Sequence, residues 1–272
     1  MLNSAFGPKR PMTASNAALA LILAFGIACT GLGPLRAAEP APDFTLRTKA
    51  ADISVSLDAA IKADPLLAIN CLAEGKHYAE KQNAEAEAAR RSDPKLFSNG
   101  GYTFERKYVT ASIVGPYISI VRTDYENTGG AHPNTYIDTI LWDNSAKKRI
   151  SIRPFFKDTA NGSPAMRAMV RGVISSLNAE KKKRGIDDSN IGIDWYKGIE
   201  PDLLKIGPVT LTPSIKPDKS AGLTFHYAPY AVGPYAEGTF EAFVPWQDLQ
   251  PYLSPEGAAI FGGERLADAK NR

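Results

Sequence analysis

The sequence has few of the residues that build metal and redox sites. Its 272 residues include only three histidines, His77, His132 and His226, and two cysteines, Cys29 and Cys71. No HExxH pair occurs, and the cysteines are too far apart for a CxxC motif. The GxSxG elbow, the P-loop and the GxGxxG fingerprint are also missing. We therefore expect no metal, no other cofactor and no familiar catalytic motif.

The body of the chain has almost no net charge. The formal charge is +3, from 32 basic and 29 acidic residues. Three basic residues, Lys9, Arg10 and Arg36, precede the first acid, Glu39, and removing them from the 32 leaves 29 of each sign. A nucleic-acid-binding surface needs an excess of Lys and Arg to pair with phosphates. We expect no nucleic-acid partner.

Only one long hydrophobic run occurs, and it lies at the start of the chain. Ala17–Cys29 is thirteen apolar residues long, whereas a membrane span needs about 20. Lys9 and Arg10 precede the run, and small residues follow at Ala37 and Ala38, as is typical of an export signal. We interpret residues 1–38 as a signal peptide and expect an extracytoplasmic protein, either periplasmic or secreted.

Two alternatives would keep the protein at a membrane. The signal could remain uncleaved as an anchor, or Cys29 could become the lipidated first residue of the mature chain. Cleavage near residue 38 leaves Cys71 as the one remaining cysteine, so we expect no intramolecular disulfide. Cys71 lies in an apolar helical stretch, which is typical of a small buried core residue.

Hydrophobic periodicity predicts two long helices. The first covers Leu57–Arg91 and is interrupted near Pro65, where Asp64 suits the cap position. The second begins at Pro164, carries apolar side chains at helical spacing, and ends at Gly185. We also expect short helices at residues 202–206 and 246–253.

A basic run, Lys181–Arg184, closes the second long helix. Cations are favoured at a helix C-terminus, and a glycine such as Gly185 commonly ends one. A binding patch is the alternative explanation. We favour the explanation that these residues stabilise the end of the helix.

The remaining periodic segments predict strands, of which the four between residues 102 and 152 are joined by short turns. The predicted strands cover residues 44–55, 102–108, 117–125, 134–142, 148–152, 209–212, 223–227 and 240–244. Short turns favour an antiparallel meander. The fold class is α+β, an antiparallel sheet with helices packed on it. We expect two closely associated subdomains, 39–158 and 159–263, and a polar tail at 264–272.

The segment TGGAHPN, residues 128–134, is the most unusual loop in the sequence. Gly129 and Gly130 permit backbone conformations that other residues avoid. Pro133 fixes its own φ and restricts His132. We expect a shaped loop that presents His132 and Asn134 to a ligand. The alternative is a tight connector in which His132 bonds to neighbouring backbone groups.

A second unusual stretch, residues 225–238, alternates tyrosines with prolines. Its sequence, FHYAPYAVGPYAEG, contains Tyr227, Tyr230 and Tyr235. Tyrosines on a rigid loop offer a large contact area with a polar tip, which suits recognition of a protein or a sugar. The alternative is that the rings cover a sheet edge while their hydroxyls bond to backbone.

Four segments together resemble an extracytoplasmic family of unknown function. It occurs in the lysozyme-binding anti-sigma factor RsiV and beside the catalytic domain of the peptidoglycan deacetylase PdaC. The segments are YISIVRTDYENTGGAHPNTYIDTILWD, KKRISIRPFF, FHYAPYAVGPYAEG and FVPWQDLQPYL, within residues 44–253. The resemblance implies an α+β fold, a place at the cell envelope and no particular activity.

The chain departs from both of these relatives. It has no room for a metal-dependent deacetylase domain, and only about sixteen residues precede the apolar run, too few for a sigma-binding segment. We expect a non-catalytic envelope module that binds a protein, such as a lysozyme-like partner, or peptidoglycan. The alternative is an envelope hydrolase that uses His132 with Glu126 or Asp138. A structural envelope protein without a small ligand is the third possibility.

Overall fold

A computed structural model describes residues 40–187 and 194–266. The predicted signal peptide, the lipidation site at Cys29 and residues 267–272 of the predicted polar tail lie outside the described residues. Within them, every helix is too short or too polar to cross a membrane. The division into two subdomains at residue 158 remains a prediction.

The first half of the described chain forms a six-stranded sheet in which sequence order is also spatial order. Its strands are β1 (Phe44–Arg47), β2 (Ala51–Leu57), β3 (Tyr102–Val114), β4 (Tyr117–Asn127), β5 (Asn134–Asp143) and β6 (Lys148–Ile150). The antiparallel meander from β3 to β6 is confirmed. The expectation of a purely antiparallel sheet is wrong for one pair, because β2 runs parallel to β3.

Two helices make the parallel pair possible. Helix α1 (Ala59–Lys62) and helix α2 (Pro65–Ser92) carry the chain from the end of β2 back to the start of β3. Parallel neighbours require such a crossover. The predicted break is confirmed: the Asp64 carboxylate accepts from the amides of Leu66 and Leu67, at 3.0 and 3.2 Å.

Helix α2 packs closely against β2. A Cβ atom built on Gly75 would lie 2.5 Å from a γ-methyl of Val55, so only glycine permits this approach. Cys71 is buried on the same helix, as the sequence predicted. Burial raises the pKa of its thiol to about 11, which keeps it protonated and unreactive near neutral pH.

A buried ion network also ties α2 to the sheet. Arg106 donates two bonds of 2.6 Å to Asp124 on the neighbouring strand. The Arg106 guanidinium lies 3.8 Å from the ring centre of Tyr78 on α2. Glu74, also on α2, accepts from Arg122 and Arg149. Each buried charge therefore has a partner, as the cost of desolvation requires.

The second half builds a smaller sheet under one helix. Helix α3 (Pro164–Lys183) covers the antiparallel strands β7 (Val209–Pro213), β8 (Ser220–Tyr227) and β9 (Phe240–Pro245). Gly172 of α3 approaches Val244 so closely that a Cβ would lie 2.7 Å from its γ-methyl. The α+β class is therefore confirmed.

The shorter elements differ from the predictions in detail. The helix expected at 202–206 is wrong: the segment forms turns, in which the Asp202 side chain accepts from the Leu204 amide at 2.9 Å. The helix expected at 246–253 is split into α4 (Trp246–Leu249) and a 3₁₀ turn, Gln250–Tyr252. Pro251 lacks the amide that a longer α-helix would use. A last short helix, α5 (Pro255–Ile260), follows.

The edge of the smaller sheet bonds to the face of the larger one. The amide of Val209 donates to the Thr139 hydroxyl at 3.0 Å, and that of Leu211 donates to the Ser119 hydroxyl at 3.1 Å. These amides face away from β8 and would otherwise be buried without acceptors. The contact places the beginning of β5 beside the loop that follows β8.

We predict that Gly75→Ala destabilises the protein by about 1–3 kcal/mol through overpacking. In an ordinary helix interior the same change would stabilise by up to about 1 kcal/mol. The sign reverses because a new methyl group would meet Val55. Equilibrium denaturation measures the effect. Val55→Ala completes a double-mutant cycle. The double variant should lose less stability than the two single variants lose in sum. Additive losses would contradict the close contact.

Candidate functional site

The loop between β4 and β5 is shaped by local bonds. The Asn127 side chain accepts from the Gly129 amide at 3.1 Å, and Gly129 has a φ of +81°. Glycine adopts this left-handed conformation without strain. His132 Nδ1 lies 3.1 Å from the Pro133 carbonyl oxygen. Because a carbonyl only accepts, Nδ1 carries a proton, and Nε2 of the neutral ring is an acceptor.

The loop between β8 and β9 carries the tyrosines. Tyr230 has a φ of +72° although it is not a glycine, a conformation that costs about 1–2 kcal/mol. Tyr235 begins a short 3₁₀ turn, Tyr235–Glu237. Strained backbone conformations of this kind are common at ligand-binding positions, where they hold a side chain in a particular direction.

The two loops meet through an aromatic triad, His132, Tyr230 and Tyr235. The imidazole stacks on the Tyr235 ring with centroids 4.0 Å apart and planes 19° from parallel. Its Nε2 lies 3.0 Å from the Tyr230 hydroxyl, within hydrogen-bond distance. The two tyrosine rings are 5.5 Å apart. The structure thus brings together the two stretches that the sequence singled out separately.

A cleft of about 360 Å³ opens beside the triad. Tyr136 forms one wall and is 52% exposed, as is Tyr230. Asn134 lines the same cleft, because residues two apart on a strand share a face. The cleft is lined by uncharged residues only, Asn134, Thr135, Tyr136, Ala228, Pro229, Tyr230, Ala231 and Tyr235.

Sequence reasoning missed Tyr136 and included a residue that lies elsewhere. Tyr136 could have been found from its spacing, because it lies two residues after Asn134 and so shares a face of the strand with it. Tyr227 is only 5% exposed, and its hydroxyl donates to the Ile206 carbonyl at 2.6 Å. Burial raises its pKa. Tyr227 therefore has the structural role that the sequence left open, a buried ring with its hydroxyl bonded to backbone. Gly130 and Pro133 lie in the loop and shape it.

The carboxylates proposed for catalysis do not pair with His132. Glu126 accepts from the Tyr78 hydroxyl at 3.4 Å, and burial raises the pKa of Glu126. Asp138 accepts from Arg122 at 2.9 Å. Both ring nitrogens of His132 have other partners, the Pro133 carbonyl and the Tyr230 hydroxyl. His132 therefore does not form the carboxylate–imidazole pair with Glu126 or Asp138 that the hydrolase hypothesis requires.

A larger cleft, of about 450 Å³, lies elsewhere, beside the polar face of the small sheet. His226 there bonds to the Thr210 hydroxyl at 2.9 Å, and Thr212 bonds to Thr224 at 2.7 Å. Glu241 and Arg265 line the same cleft, and the Glu241 carboxylate lies 3.5 Å from His226 Nδ1. The buried hydroxyl groups therefore satisfy one another, whereas the charged lining lies at the exposed side. Across residues 40–187 and 194–266, no three His, Cys, Asp or Glu side chains are grouped to hold a metal ion.

The basic end of α3 holds the tyrosine loop. Lys181 is 5% exposed and its ammonium lies 3.3 Å from the Glu237 carboxylate. Arg184 donates to the Glu237 and Thr239 carbonyls, at 3.1 Å each, and lies 4.1 Å from the Phe240 ring centre. The run does end the helix, as predicted, and two of its members also anchor the 3₁₀ turn that carries Tyr235.

Comparison with known proteins gives a family match for part of the chain. Residues 155–247 match the family model described as "Protein of unknown function (DUF3298)". The match includes the loop with Tyr230 and Tyr235 but not the loop with His132. No curated protein matches the chain. The association with RsiV and PdaC remains a prediction.

Two solved DUF3298 structures resemble the protein. One, from Bacteroides fragilis, is 18% identical, with 75% of this chain and 85% of that chain covered and a TM-score of 0.51. The other, from Pseudomonas aeruginosa PAO1, is 16% identical, with 79% and 88% covered and a TM-score of 0.45. At this identity the Bacteroides likeness shows a shared fold and carries no activity.

The strain at Tyr230 predicts an unusual order of stability. Tyr230→Gly should be more stable than Tyr230→Ala by about 1 kcal/mol, because only glycine adopts a positive φ freely. At the neighbouring Ala231, whose φ is not positive, Ala231→Gly should lower stability by about 0.4–1 kcal/mol. Thermal or chemical denaturation measures all three. An alanine variant at 230 as stable as the glycine variant would refute the strain.

The anchoring role of Lys181 predicts a large effect at one of two adjacent lysines. Lys181→Met leaves the Glu237 carboxylate without this partner and should destabilise by about 3 kcal/mol. Lys182→Met, at an exposed position, should change stability by less than about 0.5 kcal/mol. Urea denaturation separates the two. Equal effects would show that the ion pair does not hold the loop.

Proposed function

We propose that this protein is an exported, non-catalytic binding module of the cell envelope, and that it holds a cell-wall glycan in the cleft beside the aromatic triad. The observation that carries the proposal is the stacked contact between His132 and Tyr235, which joins two separate loops into one exposed aromatic surface. The export signal predicted at residues 1–38 supports the location.

Aromatic surfaces with polar tips suit ligands that have both apolar faces and hydroxyl groups. Tyrosine presents a broad ring at little cost in side-chain entropy, and its hydroxyl bonds to polar groups at the rim. Tyr136 and Tyr230 are each half exposed around the cleft, and Asn134 adds an amide. Sugar rings have this combination of C–H faces and hydroxyls.

The size and charge of the cleft favour a glycan over a protein. Its volume of about 360 Å³ lies in the range of small-ligand sites, about 300–1,000 Å³. The uncharged lining suits a neutral sugar. The lysozyme-like partner that the family resemblance implies is the competing ligand.

The same geometry argues for binding without turnover. The hydrolase hypothesis needs a carboxylate that pairs with the imidazole and stabilises its positive charge. His132 instead donates to a backbone carbonyl and accepts from a tyrosine hydroxyl, which holds the ring as part of a surface. Glu126 and Asp138 are bonded elsewhere.

Titration calorimetry with soluble peptidoglycan glycan fragments, and separately with lysozyme, tests the proposal. The wild-type protein should bind the glycan, and His132→Ala with Tyr230→Ala should weaken binding at least tenfold, about 1.4 kcal/mol. His77→Ala, an exposed histidine on α2, is the matched control and should bind normally.

Three results would count against the proposal. Failure of the wild-type protein to bind any glycan would refute it. Unchanged binding by the double variant would remove the triad from the site. Binding of lysozyme alone, lost in the double variant, would replace the glycan with a protein ligand.

A further inference from the structure

The cleft beside the triad continues into a second cleft. This one has a volume of about 290 Å³ and lies on the other side of Tyr136. Tyr136, Ala228 and Ala231 line both clefts. The clefts are therefore adjacent, and we refer to them as two compartments of one groove that share the half-exposed Tyr136.

The second compartment differs in chemistry from the first. Its walls are the apolar side chains of Ile137, Ile199 and Pro208, and its floor includes the buried Tyr227 ring. The backbone is uncovered at Gly198, where a Cβ would meet nothing within 4 Å. It is covered at Gly207, where a Cβ would lie 3.0 Å from Tyr227. The compartment is therefore apolar, open at Gly198 and closed at Gly207.

The charged and titratable groups of the second compartment already have partners. The Lys205 ammonium lies 2.8 Å from the Glu200 carboxylate. The His226 ring bonds to the Thr210 hydroxyl. The groove therefore presents no unbalanced charge along its length, which argues against a phosphorylated or polyanionic ligand.

We infer that the groove holds an extended chain of N-acetylated sugars, with one ring against the aromatic triad and the acetamido group of the next sugar in the second compartment. This inference rests on the proposed function and names the ligand more closely. An acetamido group combines a methyl, which the apolar walls would cover, with an amide that exposed backbone near Gly198 can bond. An unsubstituted hexose has no methyl group for these walls to cover, and its hydroxyls would lie there without partners.

Calorimetry with three sugars of known composition tests the inference. The probes are N-acetylglucosamine, its β-1,4-linked tetramer, and cellotetraose, which has the same length and linkage but no acetamido groups. The N-acetylated tetramer should bind at least about tenfold more tightly than either of the others, the gain expected of one additional well-packed contact.

A variant that fills the second compartment gives a second test of the inference. Gly198→Phe adds a ring where the backbone has free space around it, so the fold should tolerate it. The variant should bind the N-acetylated tetramer about tenfold more weakly, with its affinity for N-acetylglucosamine unchanged. Gly198→Ala is the size control and should bind all three sugars like the wild-type protein.

The outcomes separate this inference from the proposed function. Equal affinities for all three sugars, with no effect of Gly198→Phe, would overturn the two-compartment groove but leave binding at the triad intact. Equal affinities for the two tetramers would overturn the acetamido assignment. Failure of all three sugars and of peptidoglycan fragments to bind would overturn both proposals.

Discussion

The candidate site depends on how an edge strand satisfies its backbone. Strand β7 closes one side of the small sheet, and its outward amides have no neighbouring strand to accept from them. Hydroxyl groups on the face of the large sheet take that role: Thr139 accepts from Val209, and Ser119 from Leu211. Because buried amides are costly without acceptors, these bonds set where the small sheet lies, and with it the distance between the histidine loop and the tyrosine loop.

Once the loops are neighbours, local chemistry determines the surface they form. The Pro133 carbonyl sets the proton on His132 Nδ1, and this leaves Nε2 to accept from Tyr230. The strained backbone at Tyr230 and the buried pair of Lys181 with Glu237 hold the opposing rings in place. A surface held from several sides loses little entropy when a ligand binds, which is the benefit of preorganisation.

Elements defined by neighbouring residues were well predicted. The start of α2 follows from Asp64 and Pro65, and the end of α3 from its basic run and Gly185, because caps act within one helical turn. The meander follows from alternating strands with short turns.

The turns at 202–206 were not predicted. The Asp202 side chain bonds to a backbone amide in place of a continuing helix, and the apolar pattern of the segment does not show this competition. The parallel β2–β3 pair was missed because strand direction depends on the path of a helix.

For the site, the amino-acid sequence was enough to show which loops are unusual: a glycine pair with His132 and Pro133, and tyrosines alternating with prolines. It determined this because backbone restrictions are properties of single residues and their neighbours. The packing of the two sheets makes His132 stack on Tyr235, places Tyr136 beside them and buries Tyr227. Those outcomes depend on which face of a strand meets which sheet. Side chains that are 98 residues apart in the chain, such as His132 and Tyr230, become neighbours only when the sheets pack.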